Sequence, residues 1–123
     1  MSQFEQVREF HKAFGVADPD KPTLLENKEQ RLRISLIREE LEEYIEAVTN
    51  DDLVEAADAL CDLAYVVFGA AACHGFTRFD EMFDEVQRSN MSKLGLDGKP
   101  IIREDGKIMK GPGFFKPNLV QFM

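Results

Sequence analysis

Tryptophan is absent from the chain, and its 123 residues include only two cysteines and two histidines. So few cysteines exclude a disulfide-rich secreted scaffold, and the paired Cys-x-x-Cys spacing of many zinc sites does not occur. Cys61 and Cys73 lie in one predicted helix, too far apart along it to bond to each other. We therefore predict reduced thiols in the core of a cytoplasmic protein.

Long apolar runs are also missing. No run reaches the roughly 20 residues that cross a bilayer, and the start, MSQFEQVREF, lacks the apolar centre of a signal peptide. The net charge of −8 disfavours general binding to nucleic acid or to anionic membranes. We expect a single domain covering residues 1–123, with no nucleic-acid or membrane partner and with a tendency to self-associate, because a chain this small buries a limited core.

The most informative absence is that of positive charge. No lysine or arginine occurs between Arg38 and Arg78, whereas ten carboxylates do. Five of them crowd into the ten residues REELEEYIEA, although like charges four residues apart destabilise a helix by about a few tenths of a kcal/mol each. Either this region is a solvated acidic surface, or its positive charge comes from something that the chain does not encode.

Helical spacing of apolar residues predicts an all-α bundle of about four helices, over residues 2–14, 26–49, 52–74 and 79–91. Asn50 or Asp51 is expected to end the second helix and to cap the third, and Gly75 to follow the third helix as its C′ residue. No segment alternates as a core strand would, although KPIIRED is compatible with a small hairpin. Residues 95–123 are rich in glycine and proline and are predicted to be mostly loop or tail.

The second and third helices are predicted to form an antiparallel pair with one acidic edge. The third is so apolar that we expect it to be largely buried. Aromatic residues and a methionine elsewhere in the chain are expected to cover the remaining apolar surface, partly across a homodimer interface: Phe4, Phe10, Phe79, Met82 and Phe83.

The acidic residues divide between helix faces. At 100° per residue, Glu39, Glu40 and Glu43 lie beside the apolar stripe of the second helix, and Glu42 and Glu46 point toward solvent. On the third helix the acidic residues share one narrow face, formed by Glu55, Asp58 and Asp62. An unpaired carboxylate at the edge of a buried face is costly, so this pattern favours hard divalent cations, since Mg²⁺ and Mn²⁺ prefer oxygen ligands.

A di-iron carboxylate site has little support. Such a site uses a Glu-x-x-His pair on each of two helices. Neither His11 nor His74 has a glutamate three residues before it, and we expect both to be ordinary polar residues.

The chain resembles a known group of enzymes. Its Glu39-Glu40-x-x-Glu43 motif, the following EAADALCDLAYVVFGAA, and the downstream RSNMSKLG and DGKIMKGPGF are similar to segments of the all-α nucleotide pyrophosphohydrolases, the MazG-like and phosphoribosyl-ATP pyrophosphohydrolase-like superfamily. The resemblance implies Mg²⁺-dependent hydrolysis of a nucleoside triphosphate to a monophosphate and pyrophosphate, with Mn²⁺ as a substitute ion and nucleotide-pool cleaning as the role.

The resemblance also implies site residues. Asp62 occupies the aspartate of the family's Glu-x-x-Asp motif, whereas Ala59 stands where a glutamate is expected and Glu55-x-x-Asp58 restores the motif one turn earlier. The predicted metal ligands are Glu40, Glu43, Asp58, Asp62 and Glu55. Glu39 or Glu40 is expected to orient the attacking water, and the predicted substrate-binding residues are Asn90, Lys93, Lys107 and Lys110.

A second hypothesis from another functional class stays open. An acidic helical bundle without catalytic activity could bind a basic protein partner. Divalent cations would then change little, whereas the enzyme hypothesis requires them.

Overall fold

The structure, a computed structural model, describes all residues from Met1 to Met123. It contains four α-helices and a final 3-10 turn: α1 (Gln3–Phe14), α2 (Asn27–Thr49), α3 (Leu53–Cys73), α4 (Phe79–Met91) and Val120–Phe122. No strand is present, and the only β pairing is an isolated antiparallel bridge between Ile102 and Ile108. The predicted all-α fold is confirmed, and each helix end lies within one residue of its expected position.

Side-chain caps define where two of the helices begin. Ser2 accepts a hydrogen bond from the Glu5 N–H while Glu5 reaches back to the Ser2 N–H, which forms a capping box at the start of α1. At α3 the cap is Asp52, whose carboxylate accepts from the Glu55 N–H at 3.1 Å. The prediction that Asn50 or Asp51 caps α3 was wrong because Asp51 takes a left-handed conformation, with φ of 52°, that turns the chain before the helix starts. Asn50 does end α2, as predicted.

The chain divides into two compact units, residues Met1–Thr77 and Arg78–Met123. In the first unit, α3 packs against both α2 and α1. Beside the turn, the Asp52 N–H donates to the Ala47 carbonyl at 2.9 Å, and at the far end the Cys73 thiol lies 3.5 Å from a Glu29 carboxylate oxygen. The end of α2 thus lies near the start of α3, and the start of α2 lies near the end of α3, so the two helices are antiparallel.

The two cysteines have different environments. Cys73 is buried, and burial raises the pKa of its thiol to about 11. Cys61 is exposed, so the prediction of two core thiols was wrong for this residue. The reason is that Cys61 lies on a face of α3 that neither α1 nor α2 covers within the chain.

Much apolar surface on α2 and α3 stays exposed. The prediction that α3 is largely buried was wrong for the single chain, because Leu53 and Val54 are 85% and 77% exposed. Half-exposed apolar side chains continue along both helices: Leu32, Ile34, Leu41, Ile45, Val48, Leu60 and Val67. Of the residues expected to provide cover, Phe4 and Met82 are buried, but Phe10 and Phe83 are exposed.

Helix α3 is long and apolar enough to cross a membrane by length and composition alone. No such segment is expected from the sequence when an unbroken apolar run is required, because acidic residues interrupt α3. The core helix of a soluble protein passes the same test, and α3 packs against two other helices of its own unit.

The second unit consists of α4 and the chain that follows it. A turn around Gly106, with φ of 87°, joins the two sides of the Ile102–Ile108 bridge. The 3-10 turn at Val120–Phe122 then packs against α4. The predicted single domain spanning both units stays a prediction.

The C-terminus of α3 leads to a first prediction, for Gly75. Its φ is 70°, and an added Cβ would overlap the Lys21 carbonyl oxygen. Gly15 ends α1 with a similar φ of 69° but has open space around it. Gly15→Ala should cost about 1 kcal/mol of unfolding free energy for the left-handed backbone alone, and Gly75→Ala about 3 kcal/mol or more because a backbone overlap is added. Chemical denaturation measures both values, and equal losses would contradict the close approach of Lys21.

Candidate metal centre

Three predicted ligands come together between α2 and α3. Glu40 and Glu43 lie one turn apart on α2, and Asp62 lies on α3. One carboxylate oxygen from each lies within 4.8 Å of one from each of the others. The antiparallel register of the two helices produces this triad of Glu40, Glu43 and Asp62, because positions nearly equidistant from the turn meet across the pair.

Glu40 has the least favourable environment in the triad. Its Oε2 atom is buried and has no hydrogen-bond partner. Burial raises the pKa of Glu40 from its ordinary 4.5 to about 7, with further contributions from a hydrogen bond between the protonated side chain and Glu43 and from the charges of Glu43, Asp62 and Glu39. No lysine or arginine neutralises the triad by an ion pair.

Asp62 is affected in the same direction. Burial is the main cause that raises its pKa, followed by the charges of Asp58 and Glu43. Asp58 lies one turn before Asp62 on α3 but is not a member of the triad. Its proposed role as a ligand therefore stays a prediction, although its charge acts on the site.

Glu55 lies nearer the turn. Together with Glu43 and Glu46 it lines a depression of about 280 Å³ at the end of the helix pair. Glu46 is exposed, as predicted, but it also shares this depression with two predicted ligands, which was not predicted. The signal was available, since Glu46 follows Glu43 by three residues and the antiparallel turn brings Glu55 toward both.

Glu39 and Glu42 line a different surface of α2. They border a shallow depression that also includes Arg31, Ser35 and Arg38. Glu39 is thus a neighbour of the triad, because its charge contributes to the raised pKa of Glu40, but it is not one of the three grouped carboxylates. Its role in orienting water stays a prediction.

The triad suits a hard divalent cation. All of its donors are carboxylate oxygens, the ligand type that Mg²⁺ and Mn²⁺ prefer, and the orphaned Oε2 of Glu40 is a buried acceptor without a donor. A cation would satisfy that atom and offset the mutual repulsion of the three charges. Water or protein ligands beyond the triad would complete an octahedral shell.

Both histidines have backbone partners away from the triad. Nδ1 of His11 lies 2.8 Å from the Ala17 carbonyl oxygen, and Nδ1 of His74 lies 2.9 Å from that of Thr23. Since a carbonyl oxygen only accepts, each Nδ1 carries the proton. The two side chains hold loop segments against helix ends.

The second unit brings the backbones of two predicted substrate-binding lysines close to each other. The Gly111 N–H donates to the Lys93 carbonyl at 2.8 Å, so Lys110 follows the chain to the end of α4 where Lys93 lies. Lys107 is in the turn after α4, where its N–H donates to Asp105. Asn90 is exposed near the end of α4. Contact of any of these four residues with a substrate stays a prediction.

Comparison with known proteins places the chain in a family. A profile described as phosphoribosyl-ATP pyrophosphohydrolase matches residues 7–90, more than half of the chain and all three triad residues. The chain belongs to this family. The resemblance inferred from the acidic motifs is therefore confirmed.

Two individual relatives extend the comparison. An uncharacterised protein of Acanthamoeba polyphaga mimivirus is 31% identical over 84 residues, which are 60% of this chain and 31% of that protein. The chain thus spans about a third of the length of this curated relative. The crystal structure of a "putative NTP pyrophosphohydrolase" from Exiguobacterium sp. 255-15 is similar with a TM-score of 0.51 at 27% identity, covering 99% of this chain and 92% of that one.

The raised pKa of Glu40 predicts how the metal-free protein responds to pH. An acid whose pKa is raised by folding keeps its proton in the folded state after the unfolded chain has lost it. Its stabilising contribution is complete below its ordinary pKa of 4.5 and is lost as the pH rises through about 7. Asp62 acts in the same direction. With chelator present, the Tm should therefore fall between about pH 5 and about pH 8.

Glu40→Gln provides the control for this pH effect. It removes the titrating group while keeping the size of the side chain, so the fall in Tm should become smaller and the variant should be the more stable protein at about pH 8. Thermal unfolding followed by circular dichroism at several pH values measures both effects. An unchanged pH dependence in Glu40→Gln would show that Glu40 is not in the environment described.

Proposed function

We propose that this protein is a metal-dependent nucleoside triphosphate pyrophosphohydrolase, with Mg²⁺ as the ion and Mn²⁺ as a substitute. Membership of the phosphoribosyl-ATP pyrophosphohydrolase family supports hydrolysis of a phosphoanhydride bond. The solved Exiguobacterium relative, named as an NTP pyrophosphohydrolase, supports a nucleoside triphosphate as the substrate class.

The observation that carries the proposal is the orphaned Oε2 of Glu40 in the triad. A buried carboxylate oxygen with no donor is costly, and a purely structural helix pair gains nothing from three mutually repelling carboxylates. A cation site explains the arrangement. When bound there, Mg²⁺ would supply neutralisation of phosphate charge and a lowered pKa for a coordinated water.

The remaining steps of the proposed reaction depend on side chains of the protein. In the proposed reaction, water attacks the α-phosphorus, the bond from that phosphorus to the bridging oxygen of the β-phosphate breaks, and pyrophosphate leaves. Glu39 or Glu40 would orient that water or accept a proton from it. Lys93, Lys107 and Lys110 would bind phosphate oxygens as point charges, and Asn90 would contact the sugar or base.

Self-association is part of the proposal. Many apolar side chains of α2 and α3 are exposed, Leu53 and Val54 most of all, and exposed apolar surface of this kind favours association. We expect a homodimer or higher homo-oligomer in which a second copy covers these helices.

The activity prediction is tested with a panel of nucleoside and deoxynucleoside triphosphates. In the presence of Mg²⁺, at least one of them should yield pyrophosphate. Glu43→Gln and Asp62→Asn should each lower kcat/KM by more than about 100-fold, because loss of a direct ligand should exceed the 10–100-fold effect typical of residues that only orient ligands.

Glu42→Gln is the matched control. It removes one carboxylate from the same helix on the surface that carries Arg31 and Arg38, and it should leave activity within about twofold. Pyrophosphate release from no member of the panel would instead favour the interaction module that binds a basic partner. Activity that survives Glu43→Gln and Asp62→Asn would remove the triad from the mechanism.

A further inference from the structure

The Glu85 carboxylate on α4 is buried and both of its oxygens have partners. Glu85 is neither in the triad nor among the predicted site residues. Glu85 is 5% exposed. Its Oε2 accepts a hydrogen bond from the Asn118 N–H at 2.8 Å, and its Oε1 pairs with Arg88. These interactions, with the Asn118 bond the largest, lower the pKa of Glu85 below its ordinary range. The side chain therefore ties the C-terminal segment to the helix.

One turn further along α4, two serines bind the same segment. Ser89, which is 2% exposed, donates its hydroxyl to the Phe115 carbonyl at 2.8 Å. The Phe115 N–H donates to the Ser92 hydroxyl at 3.2 Å. Both backbone groups of one residue are thus bound by helix side chains, and the Arg88 guanidinium lies 4.4 Å from the centre of the Phe115 ring.

Gly111 makes the closest backbone approach to the end of α4. An added Cβ there would overlap the Leu94 carbonyl oxygen and lie 2.7 Å from that of Lys93. The Gly111 N–H donates to the Lys93 carbonyl, so Gly111 fixes the point at which the C-terminal segment crosses the end of α4. Lys110, the preceding residue, is held beside Lys93 by this crossing and has its ammonium group 4.9 Å from the centre of the Phe114 ring.

We propose that Glu85 and Ser89 are positioning residues that clamp the segment from Gly111 to Asn118 onto α4, so that Lys93 and Lys110 form one preorganised cationic pair for the phosphate chain of the substrate. The inference rests on the proposed function for the identity of the substrate. The clamp itself rests on the contacts of α4 with the C-terminal segment.

The chemistry of the clamp supports positioning rather than bulk stability. A lysine side chain is flexible and loses conformational freedom when immobilised, so its binding contribution depends on how well its backbone is placed beforehand. Glu85 and Ser89 have no free polar atom with which to bind a ligand, since both are buried and already hydrogen-bonded. Glu85→Ala would also release Arg88 from its ion pair, whereas Ser89→Ala leaves that pair intact. An effect on phosphate binding that is common to both variants must therefore pass through the segment that both residues hold.

The test measures phosphate binding separately from hydrolysis. Glu85→Ala should raise the KM for the nucleoside triphosphate about tenfold, the scale of one lost charged hydrogen bond, and Ser89→Ala about fivefold, the scale of one lost neutral hydrogen bond, while kcat stays within about twofold in both variants. The affinity for inorganic tripolyphosphate, measured by calorimetry, should weaken by the same factor. Glu85→Gln keeps an acceptor for the Asn118 N–H and should restore most of both losses, and Asp84→Asn, on the same helix, is the control.

A double-mutant cycle separates positioning from a general loss of structure. If Glu85 acts through the lysine pair, Glu85→Ala combined with Lys110→Gln should bind tripolyphosphate only about as weakly as Lys110→Gln alone. Independent, multiplying losses would overturn the proposal. So would unchanged tripolyphosphate affinity in Glu85→Ala once hydrogen exchange shows that the Phe115 and Asn118 amides are released.

The clamp and the proposed function can fail separately. Tripolyphosphate binding that depends on Glu85, without pyrophosphate release from any nucleotide, would support the clamp and refute the enzyme. The wild type could release pyrophosphate while Glu85→Ala, Ser89→Ala and Lys110→Gln leave both the KM and the affinity for tripolyphosphate unchanged. That result would support the enzyme and refute the clamp.

Discussion

The electrostatic repulsion among Glu40, Glu43 and Asp62 is the constraint on which the rest of this structure depends. The packing of α2 against α3 forces three carboxylates to within 4.8 Å of one another, and none of them has a cationic side chain as partner. Burial of Glu40, together with the charges of the neighbouring carboxylates, raises its pKa to about 7, so the metal-free fold retains a proton there. The divalent cation that we propose at the triad would offset the same repulsion without a proton.

The hairpin geometry explains why the triad forms where it does. A short turn capped by Asp52 sets the antiparallel register of α2 and α3, and contacts at the far end, between Glu29 and Cys73, keep that register. The site therefore rests on rigid helices rather than on loops, which favours fixed ligand geometry. In the second unit the positions of the predicted phosphate-binding lysines depend instead on a chain segment that is bound to α4 through buried side chains.

Much of this could be predicted from the sequence, because helix periodicity is a local property. The four helices and the grouping of Glu40, Glu43 and Asp62 follow from spacing along α2 and α3 together with a short turn. Exposure was harder to predict. The apolar face of α3 reads as core in the sequence, but a single chain has too few other elements to cover it, so Cys61 stays exposed. The roles of Glu85 and Ser89 were missed because their partners are backbone groups 26 to 33 residues away, which no local pattern reveals.

Direct titration with Mn²⁺, followed by electron paramagnetic resonance on the wild type and on matched glutamine and asparagine variants, tests the central claim most directly. The account predicts saturable Mn²⁺ binding by the wild type, competition by Mg²⁺, and binding weakened at least about tenfold in Glu43→Gln and in Asp62→Asn. Glu42→Gln should bind Mn²⁺ as the wild type does. Equal affinity in the wild type, Glu43→Gln and Asp62→Asn would contradict the account, because the positive charge that these helices lack would then not be a metal held by the triad.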